Sequence, residues 1–203
     1  MSSAAAPPTL YVSFDLETVG GNPDDEPIVN AGFVALLEDG SEVSSLNVNM
    51  RYKRGDPKTL EWWQSTPELR AAWDSFQHDA LAPADAMVRI RDWFASLTAG
   101  PIRYRLLLVC YPVVFDGSLL YAYWFRYLGH PTNGKGPGFT ALDIRSYAAG
   151  KLQVDYQETS KERALKPYCP APDAFPHTHS GLDDAREQGH LLLNLMHGRK
   201  TIQ

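Results

Sequence analysis

Apolar and polar residues alternate along residues 10–16. Leu10, Val12, Phe14 and Leu16 fall on one side, and Tyr11, Ser13, Asp15 and then Glu17 on the other, the period of a β-strand. Further apolar runs at 28–37 and 44–50 are set off by the turn-forming GGNPDD and EDGS, which predicts three strands in an antiparallel meander. DPKTLEWWQ and TPELRAAWDSF each put a capping Asp or Thr before a proline, the opening of a short helix. In PADAMVRIRDWFASL, Met87, Ile90, Phe94 and Leu97 recur at helical spacing. RLLLVCYP is continuously apolar, as a strand covered on both faces should be. A helix is predicted from Asp116, closing at Gly129, and a Gly/Pro-rich loop then leads to TALDIRSYAAG. There is no internal repeat. This order of elements predicts an α/β domain, a mixed sheet with helices on both faces.

Residues 151–177 are polar, punctuated by proline and without clear period, and read as a long loop of functional or mobile character. The last helix opens after Ser180, a potential cap, and runs to about residue 197. At about 100° per residue, Asp184 points with Leu191 and Leu195 toward the core, and Asp183 with Glu187, His190 and Asn194 toward water.

The 203 residues, 44% of them hydrophobic, suit a single domain. It is placed at 10–198, between a disordered 1–9 and a C-terminal tail at 199–203. A formal net charge of -5 excludes a protein that coats nucleic acid by charge alone, and leaves room for a short or end-bound strand. Cys110 and Cys169 have no metal-site spacing and suggest a reducing compartment. MSSAAAPP lacks the features of a signal peptide and LLLVCYPVVF is too short to span a bilayer, so a soluble, intracellular, cytoplasmic protein without membrane attachment is expected.

Asp15 and Glu17 share one side of a strand, and two carboxylates so close tolerate burial only beside a positive charge, most simply a divalent cation. The plainer alternative is a solvated edge strand. Asp116 lies on the stripe of Leu120, Tyr123 and Tyr127, so it too points inward, as does Asp184. Each of these two taken alone could merely complement the positive end of its helix. Together the four acids can converge at one sheet edge. Hard oxygen ligands select Mg²⁺ or Mn²⁺ over zinc, and two such ions about 4 Å apart activate a water and stabilise the leaving oxygen of a phosphodiester. His179, five residues before Asp184, is the nearest candidate base.

FDLET, VVFD and HSGLDDA, carrying Asp15 and Glu17, Asp116, and His179 with Asp184, match in order and spacing the three motifs of the DEDDh superfamily of 3'-5' exonucleases. DLETVGGNPDDEPIVNAGFVAL with TLEWWQSTPELRAAW resembles, more narrowly, the branch of RNase AS-type exoribonucleases and phage exodeoxyribonucleases. The likeness runs from about residue 10 to 197. It implies an RNase H-like fold, a five-stranded mixed sheet flanked by helices on both faces. It also implies two Mg²⁺ or Mn²⁺ ions held by Asp15, Glu17, Asp116 and Asp184, His179 as general base, single-stranded RNA or DNA 3' ends as substrate with RNA slightly favoured, nucleoside 5'-monophosphates as products, and a homodimer as an option. One departure stands out: relatives often carry Asn four residues before the second-motif Asp, where this chain has Pro112 preceded by Tyr111.

The remaining candidates are weaker. Asp143 is a rival carboxylate, taken as supporting or structural. His177 forms His-x-His with His179, but zinc would want more soft ligands than Cys169; His78, His130, His190 and His197 read as surface or cap residues. Trp62 or Trp63 could stack on terminal bases, adjacent helical positions making both together improbable, with core burial the alternative. Arg51, Lys53 and Arg54 form one basic patch and Lys161, Arg163 and Lys166 a second, on the loop expected to order over substrate and bring His179 into place. An inactive nucleic-acid or nucleotide-binding module on the same fold is the competing reading, and a phosphodiesterase acting on dinucleotides or capped ends is a variant within the enzyme class.

Overall fold

The computed structural model describes residues 6–131, 136–175 and 178–201. His177 lies outside the described residues. The alternating first stretch forms β1 (Thr9–Thr18), followed by β2 (Ile28–Leu36) and β3 (Glu42–Asn49). Three helices come next, α1 (Pro57–Trp63), α2 (Pro67–Gln77) and α3 (Pro83–Thr98). The first two are capped as expected, with Asp56 and Thr66 accepting from the backbone of Thr59 and Leu69. Then follow β4 (Arg105–Cys110), α4 (Val113–Leu128), β5 (Ala141–Asp143), α5 (Ile144–Leu152) and α6 (Gly181–His197).

The five strands make one mixed sheet in the order β3-β2-β1-β4-β5. β2 is antiparallel to β1 and β3, and β4 is parallel to β1 and β5. β1 is therefore the central strand, which removes the solvated-edge reading of its two acids. Leu10, Val12, Phe14 and Leu16 are buried on one face with Met87, Ile90, Phe94 and Leu97 of α3 and Leu120 and Tyr123 of α4. On the other face Tyr11, Leu36 and Val109 are buried with Ile144 and Ala148 of α5 and Leu191, Leu192 and Leu195 of α6. Val19 and Val29 join Trp63, Leu69 and Phe76 in a smaller cluster under α1 and α2.

Two sequence expectations need correction. α4 starts at Val113, three residues before Asp116, because Pro112 stands at its N-cap and Asp143 accepts the Val113 N–H at 2.8 Å. Residues 151–177 are not a loose loop along their described length. α5 runs to Leu152, short 3-10 turns form at Tyr156–Glu158 and Lys166–Tyr168, and Leu165 and Tyr168 are buried against α6. Two basic side chains of this segment are tied down as well, Lys161 to Glu187 at 2.5 Å and Arg163 to Glu158 at 2.6 Å. Among the described residues no helix is long and apolar enough to cross a membrane.

Candidate active site

Asp15 and Glu17 stand at the carboxyl end of β1, on the face that α6 covers. β4 ends beside them at Cys110, and the chain turns through the cis Tyr111–Pro112 peptide into the first turn of α4, which presents Asp116. One Asp116 oxygen accepts the N–H of Leu16, the residue between the two β1 acids, at 3.2 Å, and the other faces the Cys110 thiol at 3.5 Å. Asp116 is thus fastened to the same stretch of backbone that carries Asp15 and Glu17.

Asp184 is delivered by a backbone-to-backbone contact. A Cβ at Gly32 of β2 would lie 2.0 Å from both the carbonyl carbon of Gly181 and the N of Leu182, and one at Gly181 would lie 2.9 Å from the Asp15 carbonyl oxygen. Only a pair without side chains lets the start of α6 sit this close to the strand pair. Asn30, wholly buried in β2, locks the seat: its Oδ1 accepts the Gly181 N–H at 2.9 Å while its Nδ2 donates to Asn47 and Asn49 at 2.8 and 2.7 Å. Asp184 is consequently buried, and Glu17, His179 and Asp184 bring ligand-capable atoms within 4.8 Å of one another. Asp183 turns outward, as its helical angle predicts, accepting from Thr178 at 2.8 Å and pairing with Arg186.

His179 adopts a left-handed φ of 54° just before α6. Its ring meets Trp62 and Trp63 edge to face, at 5.6 and 6.3 Å between centroids. Trp63 is buried and donates Nε1–H to the Thr18 carbonyl at 2.9 Å, so it belongs to the core. Trp62 remains 44% exposed. Phe115, next in sequence to Asp116, is exposed too, and its ring edge approaches Gly21.

The electrostatics show what the acids lack. Burial, followed by the charges of Asp116 and Asp184, pushes the Asp15 carboxyl up to about 8, against the opposing hydrogen bond from Gln188 and the positive charge of Lys161. Burial and the charges of Asp15, Asp184 and Asp116 push Glu17 to about 10. Burial raises Asp116 to about 6 despite its bonds from Cys110 and Leu16. Carboxylates pressed together away from water hold protons unless a cation replaces them. An all-oxygen donor set of this kind fits Mg²⁺ or Mn²⁺.

Asp15, Glu17, Asp116, Asp184 and His179 therefore come together. Asp143 does not join them: one oxygen caps α5 through the Ser146 N–H and the other takes the Val113 N–H. Arg163 pairs locally with Glu158, and Arg54 pairs with Asp25. Lys161 leans over the Tyr111 ring at 5.3 Å, and the Tyr111 hydroxyl donates to the Thr159 carbonyl at 3.3 Å, so the residue at the altered second motif holds the 151–177 segment. His190 is half-buried on the outer side of α6, its ring packing 4.5 Å from Phe175. Two residues bonded to this cluster, Asn30 to Gly181 and Gln188 to Asp15, escaped the sequence reading although signals existed. Asn30 is the one polar residue in the run IVNAGFVAL, and Gln188 lies one helical turn from Asp184 on the inward face.

No family model matches the chain. It is 26% identical over 183 residues, 90% of this chain and 89% of the relative, to the 3'-5' DNA exonuclease Cap18 of Escherichia coli. Its fold is similar to that of the nuclease domain of 3'hExo, a DEDDh family member, solved bound to rAMP. The TM-score is 0.65 at 15% identity, over 98% of each chain. It is also similar to E. coli exonuclease I in complex with a dA16 oligonucleotide, with a TM-score of 0.61 at 14% identity over 94% of this chain and 42% of that one. The fold is thus the RNase H-like fold of the DEDDh exonucleases, as the three sequence motifs imply.

Proposed function

We propose that this chain is a metal-dependent 3'-5' exonuclease that hydrolyses the phosphodiester bonds of single-stranded nucleic acid and releases nucleoside 5'-monophosphates. The observation that carries the reading is the convergence of Asp15, Glu17, Asp116 and Asp184 with His179 at one end of the central strand. Two Mg²⁺ or Mn²⁺ ions held by the four acids would supply the activation of the attacking water and the stabilisation of the leaving oxygen. The chain's own groups do the rest. His179, held at its edge by Trp62 and Trp63, takes the proton from the attacking water. Trp62 offers an exposed ring beside it for a terminal base. The contacts of Lys161 with Glu187 and the Tyr111 ring keep it near Asp15, adding positive charge to an otherwise acidic site.

Both sugars have support, RNA from the RNase AS-type likeness of the DLETVGG segment and DNA from the E. coli relative. A gel time course with 5'-labelled single strands of identical RNA and DNA sequence, in Mg²⁺, Mn²⁺ or EDTA, tests the reading and chooses between them. The expected result is a metal-dependent ladder shortening from the 3' end, abolished by Asp15→Ala and His179→Ala. Intact strands under every metal condition with a retained gel shift would refute the enzyme and leave a binding module.

A further inference from the structure

Gln188 lies on α6 one turn beyond Asp184 and is 3% exposed. Its Nε2 donates to Asp15 Oδ1 at 2.7 Å, and among the described residues no other hydrogen bond reaches the Asp15 carboxylate. Its own Oε1 is buried without a partner, as is the hydroxyl of Ser13, two residues before Asp15 on the same strand face. α6 reaches this depth because the next residue is Gly189, where a Cβ would meet Leu36 at 2.6 Å and Ser13 at 3.1 Å.

Stability gives a glutamine here little net gain. It satisfies one buried acceptor, Asp15 Oδ1, while leaving another, its own Oε1, unpaired, and each buried acceptor left unpaired costs about 1–3 kcal/mol. What the amide does instead is specific to Asp15. A carboxylate only accepts hydrogen bonds, so an N–H fixed on Oδ1 sets the plane of the group and leaves Oδ2 as the oxygen free to meet a cation. Asp116 is held differently, by the Leu16 N–H and the Cys110 thiol. We propose that Gln188 is a positioning residue, orienting Asp15 to ligate metal. This rests on the metal-dependent reading above.

The test uses the full chain with Mn²⁺ alone and no nucleic acid. Mn²⁺ affinity is measured by titration calorimetry and melting in EDTA by calorimetric scan, for the wild type, Gln188→Met and Ser13→Ala. Gln188→Met keeps the length and loses the donor. One unpaired acceptor then replaces another, so it should melt in EDTA close to the wild-type temperature yet bind Mn²⁺ about 10–100-fold more weakly, the usual loss when a partner of a metal ligand is removed. Ser13→Ala, which removes the neighbouring unpaired hydroxyl, should bind Mn²⁺ as the wild type does. Wild-type affinity in Gln188→Met, or a lowered melting temperature with unchanged affinity, overturns the proposal. If Gln188→Met does not fold, Gln188→Asn, whose amide is drawn back by one methylene, reads the same quantity with the same expected weakening. A wild-type protein that takes up no Mn²⁺ at all overturns the metal-dependent reading itself, and this proposal with it.

Discussion

Replacing Gly32 by alanine adds one methyl group to the strand that faces the start of α6, and the contact it makes can be worked out directly. The new Cβ would lie 2.0 Å from the Gly181 carbonyl carbon and the Leu182 N, and 2.3 Å from the Gly181 oxygen. Ordinary contact begins at 3.4 Å, and every atom met is backbone, so no side chain can swing aside. The start of α6 has to lift by roughly 1 Å or more, straining the Asn30 bond to Gly181 and carrying Asp184 away from Asp15 and Glu17. Overfilling of this kind costs about 1–3 kcal/mol, and a displacement of about 1 Å at a reacting centre costs about 10²-fold in rate. Urea unfolding in EDTA should therefore report a loss at the upper end of that range, and gel-based trimming in Mg²⁺ a fall of about two orders of magnitude. Gly150→Ala is the matched control. A Cβ there meets nothing within 4 Å, and a helical alanine should gain about 0.5–1 kcal/mol over glycine. A Gly32→Ala protein with stability within about 0.5 kcal/mol of wild type, the range of an ordinary surface change, and with undiminished trimming would refute the idea that this glycine seat aligns the site.

Two further outcomes follow from the same geometry. Burial raises Asp15, Asp116 and Glu17, so without metal the folded chain holds protons that the unfolded chain has released. Stability in EDTA should then be greatest near the ordinary carboxylate range and fall as pH rises through about 6, about 8 and about 10. The gain in melting temperature on adding Mn²⁺ should widen over the same window, and a flat EDTA profile would contradict the burial argument. For the tryptophan pair, Trp63→Ala should cost about 3–5 kcal/mol in urea unfolding as a core deletion. Trp62→Ala should leave stability nearly unchanged while raising KM for a single strand, since base stacking on an aromatic ring is worth about 1–3 kcal/mol; an unmoved KM would remove Trp62 from the substrate surface.

The sequence disclosed what is written in local period. The alternation along 10–16 and the helical spacing around Met87 and Asp184 state which face each side chain takes, and the structure follows them. The inward direction of the four acids was equally legible, because it follows from the same strand and helix periods. What stayed hidden depends on partners far along the chain. Leu165 and Tyr168 sit in short turns without period, and only α6 makes them core. Asn30 and Gln188 look like ordinary polar residues until Gly181 and Asp15 are placed beside them. The opening of α4 was misplaced because its N-cap is a proline, and the backbone N–H of Val113 is accepted by a carboxylate 30 positions away.

Among the described residues, the central strand that bears Asp15 and Glu17 is the first element, and the helix that bears Asp184 is the last. Synthesis runs in that direction, at about 5–20 residues per second. A growing chain therefore exposes the first two acids, later Asp116, and for a long interval has neither His179 nor the glycine-seated helix that completes the set. Any chain interrupted before residue 179 carries at most three of the four acids and lacks His179. By its topology alone, the fold leaves the cluster of acids incomplete in every unfinished copy.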